Sequence, residues 1–343
     1  MSISKKRNNN ATTKNSSQKK PVKFKSAYDH VFENGIRTFF LILLFPLALY
    51  ALLLAVSYGL IVLGRNERVL NDMFEVVSWT GDIILFLSMS WILIVFWIGD
   101  RIILTTAAAL PVEKKENPRV YRIVENMALA TGMPTPKINI IEDESLNAFA
   151  TGTNPKKATI VLTTGLIKRL KKPELEGVIA HEMAHIKNND IRLMVIAIAG
   201  INIFALLGEI IVRICVEIRG ELKGIVAIIY LVALIFGIIL LIFGYLIAPL
   251  IRLATSRRRE FQADATAVLI TRNPEALISA LKKITKDPRV ESLDAMPSMA
   301  LMCVANPLGD DTFHLSPLAR GIFSTHPPIE KRIKALREMS FSG

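Results

Sequence analysis

Two histidines one helical turn apart are the residues of this sequence with the clearest chemical use. They begin and end an HExxH motif that runs from His181 to His185. At this spacing on a helix both imidazoles can face one tetrahedral ion, which is the geometry that zinc adopts in proteins. Glu182 is angled away from the first histidine, so its carboxylate can take a proton from an attacking water and deliver it to a leaving amine. The motif therefore predicts metal-assisted hydrolysis of a peptide bond.

A catalytic zinc site needs a third protein ligand and one open position. The extended motif HExxHxxGxxH is absent, because Asn188 and Ile191 stand where its glycine and last histidine belong. Glu260 is the best candidate, since it lies in a predicted helix in which Asp264 follows one turn later on the same face. Asp264 is then expected to orient a ligand histidine. The alternative for this segment is a solvated charged face with the arginines at 257 to 259.

A compact α+β domain is predicted around the motif. Pro118 is typical of a helix start and Gly132 of a helix end. Pro173 favours the start of the motif helix, and apolar residues such as Leu175 and Val178 predict that this helix is amphipathic. The predicted elements are the helix 119–131, strands at 137–142, 147–150 and 158–163, and the motif helix 173–187.

The hydrophobic fraction of the chain, 51%, is too high for an ordinary soluble enzyme. A fully soluble cytosolic protein is excluded, and a lipid bilayer is a predicted partner. The apolar run 193–216 contains Glu209 and Arg213, which can pair on one helix face and lower the free-energy cost of crossing a membrane. The alternative for that run is a helix hairpin packed on the protein or lying in the membrane interface. Four apolar runs are each long enough to cross a membrane: 38–63, 76–99, 193–216 and 224–251.

The net charge of +12 is concentrated in residues 1–30, which hold eight basic residues and one acid. This segment is rich in Asn, Ser, Thr and Lys, so we expect a disordered basic tail with a weak attraction to anionic lipid headgroups. Nucleic acid is not an expected partner, because no aromatic platform or groove-reading helix accompanies the charge. Basic residues cluster on one side of the apolar runs. The positive-inside bias therefore puts both termini and residues 100–192 on the cytoplasmic side of the membrane.

These observations divide the chain into membrane and cytoplasmic parts. An even number of crossings separates the HExxH motif from Glu260, so both can reach one ion on the same side. The two cysteines, Cys215 and Cys303, cannot form a disulfide framework or a CxxC metal site. The predicted parts are a disordered tail (1–30), a first transmembrane helix pair (31–110), a first catalytic segment with the motif helix (111–190), a second transmembrane pair or hairpin (191–252) and a second catalytic segment with the third ligand (253–343).

Four segments in a fixed order resemble one known family. They are Asn147 to Gly152, Glu176 to His185, Arg259 to Asp264 and Ser324 to Pro328. They are similar to the HtpX-type membrane zinc metallopeptidases, relatives of the CAAX prenyl proteases. The resemblance implies a multi-pass α-helical membrane protein, with about four transmembrane helices and a zincin-like α+β cytoplasmic metallopeptidase domain.

The resemblance also implies the roles of individual residues. One zinc ion per subunit would be held by His181, His185 and Glu260, with Glu182 as general base. The implied substrates are membrane proteins or unfolded polypeptides, cleaved in protein quality control. The implied location is the cytoplasmic membrane of the cell, with the active site on the cytoplasmic side.

Two further segments are expected to meet the substrate. Asn147, Ala148 and Phe149 form a predicted edge strand that can bind an extended peptide by β-augmentation, as the family's edge strand does. The alternative is an ordinary strand that ends in a glycine turn. His326 either donates a hydrogen bond to the tetrahedral oxyanion or holds a C-terminal loop against the helices. Arg332 is expected to be a structural partner of a carboxylate or a carbonyl group.

Two other functions stay open on the sequence. A CAAX-type prenyl protease shares the motifs, but it needs a larger ring of spans to enclose an intramembrane chamber. A non-enzymatic membrane scaffold with a structural zinc normally needs four protein ligands, whereas three are found. The segment 287–323, which has several prolines and no clear periodicity, could form a lid.

Overall fold

The computed structural model describes residues 93–218, 233–242, 257–293, 302–307 and 327–340, with scattered residues between 36 and 91 and at 230–231 and 299. The basic tail, His326 and much of the apolar runs 38–63, 76–99 and 224–251 lie outside the described residues. Among the helices that are described, none combines the length and apolarity needed to cross a bilayer. The four spans and the limits of the five parts therefore stay predictions.

A single mixed sheet forms one layer of the domain. Its strands are β1 (Leu110–Pro111), β2 (Lys137–Ile141), β3 (Ala148–Thr151) and β4 (Thr159–Thr163). Their order is β1-β2-β4-β3, with β2 and β4 parallel and the other neighbours antiparallel. The three predicted strands are confirmed, and β3 lies at an edge of the sheet. Ala148 and Ala150 face the main helical core, whereas Phe149 packs on the opposite side.

The predicted helices around the motif are also confirmed. Asn117 caps the first helix, since its Oδ1 accepts a hydrogen bond from the amide of Val120 at 3.3 Å. Gly132 ends it with a φ of 66°, which glycine adopts without strain. The helices are α1 (Pro118–Thr131), α2 (Thr164–Arg169), α3 (Lys172–Lys187), α4 (Asp190–Glu217), α5 (Arg257–Thr271), α6 (Pro274–Ile284) and α7 (Ile329–Ser340), and residues 93–106 and 233–242 are also helical.

Helix α3, which carries the HExxH motif, is the centre of the core. It packs against α1, α5, α6 and β3. Every residue from Gly177 to Ala184 is buried, so the predicted amphipathic helix is not observed. Gly177 allows the close approach of α6, because a Cβ there would lie 3.3 Å from the Cα of Leu277. The motif is therefore surrounded by packed side chains on most sides.

A second cluster lies on the other face of the sheet. Phe149 and Val161 pack there against Ile103, Val195 and Leu240. These contacts join the sheet to three helical segments, which are residues 93–106, α4 and residues 233–242. The last two segments approach closely through glycines. A Cβ on Gly208 would lie 2.8 Å from the carbonyl oxygen of Gly237.

A buried carboxylate ties the start of α3 to α6. Glu174 accepts hydrogen bonds from the Lys171 amide at 2.7 Å, from Ser279 Oγ at 2.7 Å and from Lys283 Nζ at 2.6 Å. Burial raises the pKa of Glu174, but these donors outweigh burial and hold the pKa below its ordinary value of 4.5. Because the pKa is lower in the folded state, this stabilisation is present above the unfolded-state value and is lost as the pH falls through the folded-state value.

Glu174→Gln is expected to lower the free energy of unfolding by roughly 1–2 kcal/mol at pH 7, because the amide loses the charge that Lys283 needs. Thermal unfolding of the purified protein measures the effect. The difference from the parent should shrink as the pH falls below the ordinary pKa of 4.5 and the parent carboxylate takes up its proton. Glu176→Gln is a matched control, since Glu176 lies 3.8 Å from Lys172 in a more exposed ion pair and should matter little. A difference that persists unchanged in acid would contradict this assignment.

Candidate metal centre

Three side chains from two helices converge beside the middle of α3. His181 and His185 lie one turn apart on α3, and Glu260 comes from the first turn of α5. The Nε2 atoms of the two histidines are 3.2 Å apart. The carboxylate oxygens of Glu260 lie 3.7 Å from Nε2 of His181 and 3.6 Å from Nε2 of His185. The structure thus brings together the three residues that the sequence predicts as metal ligands.

The donor atoms of these three residues fit a zinc ion. Zinc binds histidine nitrogen at about 2.0–2.1 Å and carboxylate oxygen at about 2.0–2.2 Å in a tetrahedron, so ligand atoms lie roughly 3.3–3.5 Å apart. The two imidazole nitrogens are 3.2 Å apart, and each lies 3.6–3.7 Å from a different oxygen of Glu260, which is close to that range. With one donor atom taken from each residue, the three atoms lie within 4.8 Å of one another. Two imidazoles and one carboxylate are also a donor set that catalytic zinc uses, with the fourth position open.

A buried carboxylate lies behind the first histidine. Asp264 Oδ1 is 3.0 Å from Nδ1 of His181, which favours a proton on Nδ1 and leaves the lone pair of Nε2 for a metal. Arg332 donates to both oxygens of Asp264, from Nε at 2.8 Å and from Nη2 at 2.7 Å. Burial raises the pKa of Asp264, but the charge and hydrogen bonds of Arg332 lower it to about 2. The carboxylate therefore stays ionised beside the histidine that the sequence predicts it to orient.

Arg332 is fully buried and has a second partner. Its Nη1 donates to the carbonyl oxygen of Val304 at 3.3 Å. The predicted structural role of Arg332, as a partner of a carboxylate or of a carbonyl group, is confirmed for both kinds of partner.

A second carboxylate, Asp190, lies behind the other histidine, and sequence reasoning missed it. Its Oδ2 is 3.0 Å from Nδ1 of His185, and its Oδ1 accepts from Nη1 of Arg259 at 3.2 Å. The chain turns through Asn189, whose φ is 56°, so that the first residue of α4 points back at the site. Burial lowers the pKa of His185, but the Asp190 hydrogen bond and Glu260 raise it to about 9. The sequence offered one signal for this role: Asp190 is an acid shortly after the motif, and Arg259 is an arginine next to Glu260.

Asp190→Asn is expected to weaken zinc binding by about 10- to 100-fold, because the amide no longer orients His185 or raises its basicity. Competition with a chromophoric zinc chelator measures the affinity. Asp287→Asn is the matched control, since Asp287 pairs with Arg169 at 2.8 Å on the exposed surface. Equal zinc affinities for the parent and Asp190→Asn would show that Asp190 does not support the ligand.

Glu182 lies beside these ligands and is buried, with 1% of its surface exposed. Among the described residues, neither of its oxygens accepts a well-formed hydrogen bond. Burial, with a further contribution from Glu260, raises the pKa of Glu182 to about 7. A carboxylate with such a pKa can take up and release a proton near neutral pH. It faces a small pocket, whose other walls include Ala150, Ile191, Met194 and Met302.

The three residues predicted to bind substrate directly precede Ala150, which lines this pocket, but they do not line it themselves and are already engaged. Asn147, Ala148 and Phe149 are buried. The carbonyl of Ala148 accepts a hydrogen bond from the amide of Val304 at 2.9 Å. The Asn147 side-chain amide donates to the carbonyl of Ala305 at 3.1 Å. His326 lies outside the described residues, so its predicted contact with the oxyanion stays a prediction.

Comparisons with known proteins point to one family. The model of a family described as peptidase family M48 matches residues 114–340. A protease HtpX homolog of Bacteroides fragilis (strain YCH46) is 38% identical over 317 residues, which cover 89% of this chain and 96% of that protein. A protease HtpX homolog of Listeria monocytogenes serovar 1/2a is 36% identical over 333 residues, which cover 91% of this chain and 99% of that protein. The crystal structure of S. mikatae Ste24p matches with 21% identity and a TM-score of 0.45, over 88% of this chain and 66% of that one.

Proposed function

Because the chain belongs to peptidase family M48 and is a metalloprotease, we propose that zinc is its metal and that it cleaves polypeptides internally at a membrane surface. The observation that carries the proposal is that His181, His185 and Glu260 converge beside a pocket lined by Glu182, and that no fourth metal-binding side chain joins them in the described part of the chain. A structural zinc site would normally be closed by a fourth protein ligand, so the scaffold alternative is less favoured. No observation favours a prenyl protease over the proposed endopeptidase.

The residues of the site have separate tasks in this proposal. His181, His185 and Glu260 hold the ion, and Asp264 and Asp190 orient the two imidazoles. Zinc would supply Lewis-acid polarisation of the scissile carbonyl group when bound there. Glu182 takes the proton of the attacking water and passes it to the leaving amine. His326 stays a candidate donor to the oxyanion on sequence grounds alone.

Two features of the described helices support a location in the membrane. Leu93, Ile94 and Trp97 expose between 44% and 71% of their surface at the end of the apolar run 76–99. Gly208 and Gly237 let two apolar helical segments approach closely, as small residues do in helix pairs within membranes. We propose that the apolar runs span the cytoplasmic membrane and that the metal centre lies on the cytoplasmic side. Membrane proteins or unfolded polypeptides would be the substrates.

Hydrolysis of an unfolded protein by the detergent-purified chain tests this function. We expect a chelator to abolish cleavage and added zinc to restore it. His185→Ala should lose both zinc and cleavage, whereas His314→Ala, for which the sequence suggests no ligand role, should keep both. Cleavage that survives chelation would contradict the proposal. Zinc binding without cleavage would favour the scaffold, and cleavage restricted to prenylated peptides would favour the prenyl protease.

A further inference from the structure

The backbone of β3 presents alternate residues to the outer edge of the sheet, which we call the free edge because no strand among the described residues pairs with it. The amide of Thr163 donates to the carbonyl of Asn147 at 3.1 Å, so every second residue from Asn147 onward is turned toward β4. The backbone amide and carbonyl groups of Ala148 and Ala150 therefore point away from β4, toward the free edge. Ala150 also lines the metal-site pocket, and its amide faces the carboxylate of Glu182. The reaction centre thus lies at Ala150 on the free edge.

Toward its N-terminal end, the same edge is occupied by another segment of this chain. The amide of Val304 donates to the carbonyl of Ala148 at 2.9 Å, and the carbonyl of Val304 accepts from Arg332 at 3.3 Å. The next residue is also held, because the side chain of Asn147 donates to the carbonyl of Ala305 at 3.1 Å. Val304 and Ala305 are buried. We call this segment, residues 302–305, the edge stop.

Buried hydrogen bonds hold the edge stop in place. Arg332 holds Val304 with one nitrogen and Asp264 with two others, and Asp264 in turn faces His181. Displacing Val304 would leave Arg332 and Ala148 each with one hydrogen bond fewer in a buried setting, which is costly. A peptide on the free edge would therefore end its pairing at the edge stop.

The other end of β3 is directed toward the predicted membrane boundary. After Thr151 the chain turns through residues 152–158, and Lys157 Nζ lies 5.6 Å from the ring centroid of Trp97. On a neighbouring helix, Arg192 lies 4.8 Å from the ring centroid of Phe96. Tryptophan rings and long basic side chains at the end of an apolar run are typical of the membrane–water interface. The free edge thus runs from the edge stop toward the membrane surface.

We infer that a substrate pairs with the free edge of β3 mainly on one side of the metal site, and that preferred substrates are segments that follow a transmembrane helix. This inference rests on the proposed proteolytic function. A peptide that pairs with β3 in the antiparallel direction, which is slightly more stable per residue, runs from Thr151 toward Asn147. Its N-terminal part then lies at the membrane surface. Its C-terminal part reaches the edge stop about two residues past Ala150 and must leave the edge there.

Two single-span reporter proteins test the inference with the zinc-loaded full chain in liposomes. Both carry the same cleavable segment, placed after the transmembrane helix in one and before it in the other. We expect the first to be cleaved about ten-fold faster, because the second loses backbone hydrogen bonds on one side of the scissile bond. Equal or reversed rates would overturn the inference. A soluble unfolded protein is tested in parallel, and failure to cleave it and both reporters would count against the proposed function instead.

Val304→Pro removes the amide that holds the edge stop to Ala148, and Val304→Ala keeps it. We expect the proline variant to raise cleavage of the second reporter selectively, with zinc content unchanged and the alanine variant like the parent. An equal rise for both reporters would mean that the edge stop is a removable lid, which overturns the inference. Soluble peptides give an independent reading with the parent protein. Lengthening on the N-terminal side should raise kcat/KM, and lengthening beyond about two residues on the C-terminal side should not.

Discussion

Glu182→Gln is expected to reduce turnover by about 100- to 10,000-fold, the range associated with loss of a general base, while zinc binding stays at the parent level. Glutamine has nearly the same shape but cannot accept the proton of the attacking water. Glu182 is not among the three converging ligands, so its charge is not needed to hold the metal. Elemental analysis for zinc and hydrolysis of an unfolded protein, both on the same preparation, measure the two quantities.

Stability gives an additional expectation for this variant. Glu182 is buried without a well-formed hydrogen bond among the described residues. Removing its charge should therefore leave the free energy of unfolding unchanged or raise it. Glu176→Gln, on the same helix but outside the motif, is the control and should keep full turnover. Parent-like hydrolysis by Glu182→Gln would contradict the role of general base, and loss of zinc would indicate that Glu182 is itself a ligand.

The ligand set was predictable because its signals are local. The spacing of His181 and His185 on one helix fixes their common direction, and the same turn-to-turn argument relates Glu260 to Asp264. The start and end of α1 were equally local, since a side-chain cap and a glycine in the left-handed region act within a few residues. Residue spacing within single helices was thus enough to predict most residues of the metal centre.

Other features depend on contacts that no local pattern encodes. Asp190 reaches His185 only because Asn189 adopts a positive φ and reverses the chain between two helices. The pairing of Val304 with Ala148 joins residues far apart in the sequence, in a segment without strand periodicity. The burial of α3 on every face is set by helices that follow much later in the chain, so residue spacing within α3 suggested an amphipathic helix instead.

Arg332→Met is expected to lower the free energy of unfolding by about 3–5 kcal/mol, which is the usual effect of removing one partner of a buried ion pair. Arg332 has none of its surface exposed and makes two hydrogen bonds to Asp264. Methionine fills much of the same volume, so lost charge rather than a cavity dominates the effect. Thermal unfolding of metal-free protein measures it, with Arg337→Met, on the exposed side of α7, as the control.

The pH dependence of this loss has a defined sign. The pKa of Asp264 is about 2 in the folded parent, below its ordinary value of 3.8. The contribution of the ion pair is therefore present in full above about pH 4 and is lost as the pH falls toward about 2. The difference between parent and Arg332→Met should narrow over that interval. A constant difference would mean that the ion pair is not its source.

A double variant separates folding from metal binding. Replacing both partners of a buried ion pair with apolar side chains is often neutral for stability, so adding Asp264→Leu to Arg332→Met should restore most of the loss. It should not restore zinc affinity, because His181 then has no carboxylate at Nδ1 to fix its tautomer and orientation. A stable double variant with parent-like zinc affinity would show that Asp264 serves folding alone. A stable variant with weakened zinc binding would show that the buried ion pair exists to position a ligand.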